Sequence, residues 1–150
     1  MLTFIPAAAS AQDVSDRKAW GYAFGAVGKF SDSGPATLHF GGGGEGVLGK
    51  GFGIGAEVGY VAPAENLHAG FGLFSVNPAY HFDSGKKLVP FITGGYSLAF
   101  RGATASGGNF GGGVQYWAKN RLGLRFEFRD HIFSSDSPHM YQFRVGITFR

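Results

Sequence analysis

The densest run of ionisable residues in this sequence is Arg125-Phe126-Glu127-Phe128-Arg129, where charge and phenylalanine alternate. Charges two residues apart share one side of an extended segment, so these three can pair with opposite charges facing the same space. Glu45, Glu57 and Arg144 stand in similar alternating surroundings, and Lys29 is a further candidate for that set. A second cluster is Asp130, His131, Ser134, Ser135, Asp136 and His139. Acid, imidazole and hydroxyl are the residue types of a hydrolase, in which the base must reach the nucleophile. His131 with Ser134 is the candidate pair, and solvated loop residues are the plain alternative. The five histidines, His39, His68, His81, His131 and His139, show no i, i+2 pair with a third ligand nearby, so no metal is expected. Gly41-x-Gly43-x-x-Gly46 and Gly44-x4-Gly49-Lys50 resemble nucleotide-binding fingerprints, but phosphate binding by either needs a helix N-terminus. Gly51-Phe52-Gly53-Ile54 reads as strand, and the P-loop Ser/Thr is missing after Lys50. No cofactor is expected.

The elements that must position these residues are strands. Arg121 to Arg129 places large apolar residues at every even number and charge or Gly at every odd one, and Tyr141 to Arg150 repeats the pattern. Alternation of this kind marks a strand with one apolar and one polar face. Trp20, Tyr22, Phe24 and Phe30 are read as the apolar face of a first strand, opposite Gly21, Gly25 and Lys29. Leu38 and Phe40 oppose Thr37 and His39; Phe52, Ile54, Val58 and Tyr60 oppose Gly53, Gly55, Glu57 and Gly59. Leu88, Ile92, Tyr96, Leu98 and Phe100 oppose Thr93, Gly95 and Ser97; Phe110, Val114 and Tyr116 oppose Asn109, Gly113 and Gln115. Leu67 to Phe82 changes parity near Leu73-Phe74, which predicts a β-bulge. Turn residues at 31–35, 49–51, 63–66, 83–87, 101–108, 119–120 and 134–138 separate the runs. The result is eight strands of about ten residues, joined by connections too short for parallel crossovers.

Composition narrows the class. The 150 residues include 27 Gly and 16 Phe, no Cys, and only 15% charged side chains, against about 25% in an average soluble domain. Zero cysteine removes disulfide scaffolds, thiolate catalysis and Cys-based zinc sites. A formal charge of +3 with no basic cluster argues against nucleic acid. The chain contains no apolar run long enough for a membrane helix.

Alternation alone allows two opposite barrels. A soluble calyx hides Phe and Leu and wets its charges, whereas a membrane barrel turns Phe and Leu to lipid and charges to its lumen. The polar faces decide, because they carry mostly Gly, Ala and Ser with a few charges of both signs, unlike a water-facing wall. An eight-stranded lumen is just wide enough for side chains to fill. Exposing Arg125 and Arg129 to lipid would cost about 2–4 kcal/mol each near the midplane. In a membrane barrel the charged face is therefore luminal, and Glu45, Glu57, Arg125, Glu127, Arg129 and Arg144 are expected to form a structural ion-pair network that fills the lumen and leaves no open pore. Trp20, Tyr80, Phe82, Tyr116 and Phe149 at one end, and Tyr60, Phe100, Phe110 and Tyr141 at the other, are expected to form interfacial aromatic girdles.

Gly111-Gly112-Gly113-Val114-Gln115-Tyr116-Trp117, followed by Arg121 to Asp130, resembles the last hairpin of small bacterial outer-membrane β-barrels of the OmpA/OmpX-like kind. Gly43-Gly44-Glu45 with Gly53 to Glu57, and Val89-Pro90-Phe91 with Gly94-Gly95, are similar too. The resemblance covers roughly residues 20–150. It implies an eight-stranded antiparallel up-and-down transmembrane β-barrel in the outer membrane, with periplasmic termini and short periplasmic turns. It also implies insertion by the barrel-assembly machinery, which reads a terminal aromatic residue; here Phe149 is penultimate and Arg150 last.

Residues 1–11 end in Ala9-Ser10-Ala11 and read as a signal peptide lacking its basic start, hence truncated. Residues 12–19 are then a periplasmic segment and 20–150 the barrel domain. The expected role is structural or interactive within the cell envelope, as a monomer among outer-membrane lipid and lipopolysaccharide, without nucleic-acid or enzymatic function. The alternatives are a lipid A-modifying hydrolase using His131 and Ser134, and a soluble calyx for an apolar ligand.

Overall fold

The computed structural model describes residues 19–31, 34–82, 86–101, 103–133 and 139–150. The signal-peptide expectation and most of the 12–19 segment lie outside these residues. Eight strands follow one another: β1 (Ala19–Phe30), β2 (Ala36–Gly49), β3 (Phe52–Pro63), β4 (Phe71–His81), β5 (Leu88–Arg101), β6 (Ala103–Lys119), β7 (Leu122–Phe133) and β8 (His139–Phe149). A 3-10 turn, Leu67–Ala69, precedes β4. Each strand pairs antiparallel with its sequence neighbours, and β8 returns to β1, closing the barrel. Among the described residues no helix is long and apolar enough to cross a membrane.

The wall sorts its side chains as a membrane barrel does. Along β7, Phe126 (37% exposed) and Phe128 (52%) face outward, while Arg125, Glu127 and Arg129 are buried. The turn from β2 to β3 needs left-handed backbone at three successive residues, Gly49 (φ 139°), Lys50 (φ 51°) and Gly51 (φ 87°). Glycine at two of the three limits the steric cost to Lys50.

The glycines have a second use, visible in the register. Glu57 pairs with Gly43, Glu45 with Gly55, Glu127 with Gly113, Arg129 with Gly111 and Arg125 with Gly146. Each of these five side chains thus stands beside a cross-strand residue with no side chain, while Arg144 stands between Ala26 and Glu127. A Cβ on Gly43 would lie 2.8 Å from that of Glu57, and one on Gly113 the same distance from the Cα of Glu127. Small opposite large is how a narrow interior reaches close packing.

Four expectations change. First, β1 is turned over: Trp20 (7% exposed), Tyr22 and Phe24 point into the lumen. They fit there because Tyr22 pairs with Gly43 and Phe24 with Gly41. The lipid side of β1 is covered by its neighbours, with the Phe149 ring against Gly21 and the Phe40 ring 3.8 Å from where a Cβ on Gly25 would stand. Trp20 is therefore no girdle residue. Second, Lys29 is exposed on the outer wall and takes no part in the luminal network. Third, β4 carries no parity switch: Leu73, Ser75, Asn77, Ala79 and His81 all face inward. Leu73 points in because it belongs to an apolar luminal cluster with Val61, Phe133 and Met140. Fourth, the expected 101–108 connection is mostly strand, since β5 reaches Arg101 and β6 starts at Ala103. Phe110, opposite Asp130, consequently stands well within the wall and away from its rim.

Candidate functional site in the barrel lumen

The lumen is layered. Toward the end that carries the termini, Trp20, Tyr22, Phe24, Val89 and Trp117 form an apolar cluster. Toward the other end Val61, Leu73, Phe133 and Met140 form a second, with Phe30, Phe71 and Ala99 packed on it. Most of the polar and charged groups lie between, with Glu45, His81 and Gln115 interleaved among the first cluster.

Glu57 on β3 is the hub of the charged layer. It takes Arg129 Nη1 at 2.7 Å, Arg144 Nη2 at 3.0 Å on each oxygen, and the Tyr22 hydroxyl at 2.8 Å. Glu127 on β7 takes Arg125 Nε at 3.2 Å, Arg144 Nη1 at 3.4 Å and Arg129 Nε. Glu45 on β2 takes Arg125 Nη1 at 3.4 Å and lies 2.8 Å from His81 Nε2. The six residues singled out from the sequence, Glu45, Glu57, Arg125, Glu127, Arg129 and Arg144, thus lie together as three carboxylates and three guanidiniums. Such burial needs this matching, because a buried charge without a partner costs several kcal/mol. Aromatic faces complete the enclosure: the Arg144 guanidinium lies 3.7 Å from the Phe24 ring centre, and that of Arg125 4.2 Å from Phe91.

A neutral polar layer was not read as a site in the sequence. Ser97 Oγ lies 2.9 Å from Ser75 Oγ and 3.1 Å from His131 Nδ1, and accepts from Asn109 Nδ2 at 2.8 Å. The Asn109 amide also meets that of Asn77. His39 Nδ1 lies 3.1 Å from Gln142 Oε1, and Gln115 Oε1 accepts from Arg125 at 3.2 Å. Strand parity was the signal for Ser97, Asn109, Gln115 and His39, which occupy numbers already assigned to a polar face. Ser75 and Asn77 lie where the sequence predicts a parity switch, and His131 is grouped there with Ser134. A void of about 10 Å³ beside Tyr22, Arg125, Glu127 and Arg144 has room for about one water.

His131 is fully buried in this layer and faces Ser97; Ser134 lies outside the described residues. An imidazole enclosed there cannot meet a lipid substrate at the barrel surface. His139 instead pairs with Asp130 at 2.7 Å on the outer wall, where its ring stacks on Tyr141. Among the described residues no group of three or more His, Asp and Glu could hold a metal ion. Tyr60, Phe82, Phe100, Tyr116 and Phe149 stand exposed on the outer wall, with Tyr80 half-buried between Phe52 and Phe82. The Tyr60 hydroxyl donates to the Leu67 carbonyl at 2.7 Å and accepts from Gly70 N at 3.0 Å, fastening the 3-10 turn to the wall.

No protein-family model matches the sequence, and a search of curated proteins returns no match. Solved structures do match. The N-terminal β-barrel domain of Pseudomonas aeruginosa OprF superposes with a TM-score of 0.67 at 17% identity, over 88% of this chain and 97% of that one. Neisserial surface protein A gives 0.66 at 14% identity, over 87% and 94%. Ail, the attachment invasion locus protein of Yersinia pestis, gives 0.60 at 11% identity, over 88% and 97%. At such identities the likeness speaks for architecture alone: the chain has the fold of the small eight-stranded transmembrane β-barrels.

Proposed function

We propose that this protein is a monomeric outer-membrane β-barrel with a structural or interactive role in the cell envelope, occluded along its axis and not a diffusion pore. The observation that carries this reading is the inverted polarity of the wall. Phe, Leu, Ile and Val cover the outside, while the three arginines and three glutamates of the network lie inside. In water that arrangement would expose an apolar belt far larger than a soluble monomer tolerates; in lipid it is what the solvent demands. Occlusion rests on the filled lumen, where ion pairs, amides and two apolar clusters occupy the section and the void beside Tyr22 and Arg144 has room for about one water. A calyx for an apolar ligand needs an empty apolar interior, the reverse of this one. The same reading has the barrel-assembly machinery insert the chain, with lipopolysaccharide as its outer-leaflet surroundings.

Two measurements test it. The protein should fractionate with the outer membrane and show heat-modifiable mobility in detergent; recovery in the soluble fraction overturns the reading. In planar bilayers the folded barrel should give no steady conductance, and a stable open level would defeat the occlusion.

A further inference from the structure

The end of the barrel that carries the termini is one-sided in charge. Lys50, Lys86, Lys87, Lys119, Arg121 and Arg150 are exposed there. Among the described residues that end has no exposed Asp or Glu side chain; its one carboxylate, Glu45, is buried and turned to Arg125 and His81. Two of these cations, Lys50 and Lys87, stand at the rim of the strands that enclose a defect in the wall, four residues before Ile54 and seven before Gly94 respectively. The β4–β5 ladder pairs Val76 with Tyr96 and Ala79 with Thr93, with no pair between. Pro78 has no N–H to offer, and its carbonyl is taken by the Thr93 hydroxyl at 3.0 Å. Gly94 across from it has no side chain, so the outer face is indented. The groove is shallow and open to the outside, lined by Phe52, Pro78, Ala79, Tyr80, Ile92, Thr93 and Gly94. Its mouth lies toward the basic end, since Phe52 begins β3 and Tyr80 stands next to the end of β4. Lys50 sits in the turn before Phe52, and Lys87 just before β5.

We propose that this groove and its two lysines form a binding site for one anionic glycerophospholipid, with an acyl chain against Pro78 and Gly94 and the phosphate between Lys50 and Lys87. The inference rests on the membrane reading above. The apolar floor matches the chain, and the lysines match the phosphate in sign. A zwitterionic lipid would fill the groove without the same charge gain.

The test is native mass spectrometry of the folded barrel in a non-ionic detergent, with phosphatidylglycerol or phosphatidylcholine added. One phosphatidylglycerol should remain bound at collision energies that strip phosphatidylcholine. In the K50Q/K87Q double variant its affinity should fall about 30-fold, roughly fivefold per lysine. Gly94→Leu, where a Cβ lies 3.3 Å from the nearest atom, the Asn109 carbonyl oxygen, should block the groove and release both lipids alike. Each variant is first checked for heat-modifiable mobility, so that a folding defect is not read as lost binding. Equal retention of the two lipids, or an unchanged double variant, overturns the site. Insertion into phosphatidylcholine vesicles is measured in parallel. A barrel that inserts but shows no preference loses only the lipid site, whereas one that fails to insert loses the membrane reading as well.

Discussion

β1 and β7 flank β8 in the same wall and divide their side chains in opposite ways. β7 sends Leu124, Phe126 and Phe128 to the lipid side and Arg125, Glu127 and Arg129 inward. β1 sends Trp20, Tyr22 and Phe24 inward and leaves Gly21, Ala23 and Gly25 on the outer wall. Charge settles the matter on β7, because no arginine can remain in the belt. On β1 neither face carries a mid-wall charge, so volume decides. The large rings go where β2 offers glycine, and the rings of Phe149 and Phe40 cover the small outer face. Alternation thus says that a strand has two faces, while its neighbours say which one looks in.

The contrast can be broken by substitution, with unfolding in urea from lipid vesicles as the common measurement. Glu57→Ala should be the most damaging, because it leaves Arg129 and Arg144 facing each other; removing one member of a buried ion group costs about 3–5 kcal/mol. A loss below 1 kcal/mol would mean that the network is not holding the lumen together. Trp20→Ala, on the strand whose inward face carries no charge, should approach the same size, about 3–5 kcal/mol for an enclosed aromatic. Were that ring in lipid after all, the variant would unfold close to the parent midpoint. Phe126→Arg places a charge in the belt and should cost about 2–4 kcal/mol, whereas a tolerated arginine would put Phe126 outside the hydrocarbon. Tyr22→Phe keeps the ring and deletes only the hydroxyl on Glu57, a bond to a charged group worth about 1.5–3 kcal/mol; stability equal to wild type would show that Glu57 is satisfied by its arginines alone. Smallest should be Ala23→Leu on the outer face of β1, within about 0.5 kcal/mol of wild type. A large penalty there would place Ala23 in the lumen and reverse the orientation of the strand.

What was legible in the sequence follows the same division. Eight antiparallel strands could be read from alternation and turn residues. The six network charges could be read because each lies on the polar face of its strand, most sharply in Arg125, Glu127 and Arg129 between leucine and phenylalanines. Trp20 and Leu73 were not legible, since size and apolarity look the same whether the destination is lipid or a luminal cluster. In the Ser75–Ser97–Asn109–His131 layer, Ser97 and Asn109 had the right parity but no charge to draw attention. Ser75 was hidden by the parity change expected in its strand, and His131 pointed to Ser134 instead. The strand content of 103–108 was hidden because Gly and Ser, usual in turns, also serve an inward face that must stay small.

The luminal charges come from two halves of the chain with opposite balance. β2 and β3 contribute two carboxylates, Glu45 and Glu57, whereas β7 and β8 contribute three guanidiniums and the single carboxylate of Glu127. Neither half can neutralise its inward face by itself. The charges cancel only when the C-terminal hairpin swings across to meet the N-terminal one, and that same event pairs β8 with β1. Electrostatic neutrality and closure of the cylinder are therefore a single step, so partly assembled forms are disfavoured and two separately made halves are each the other's natural complement.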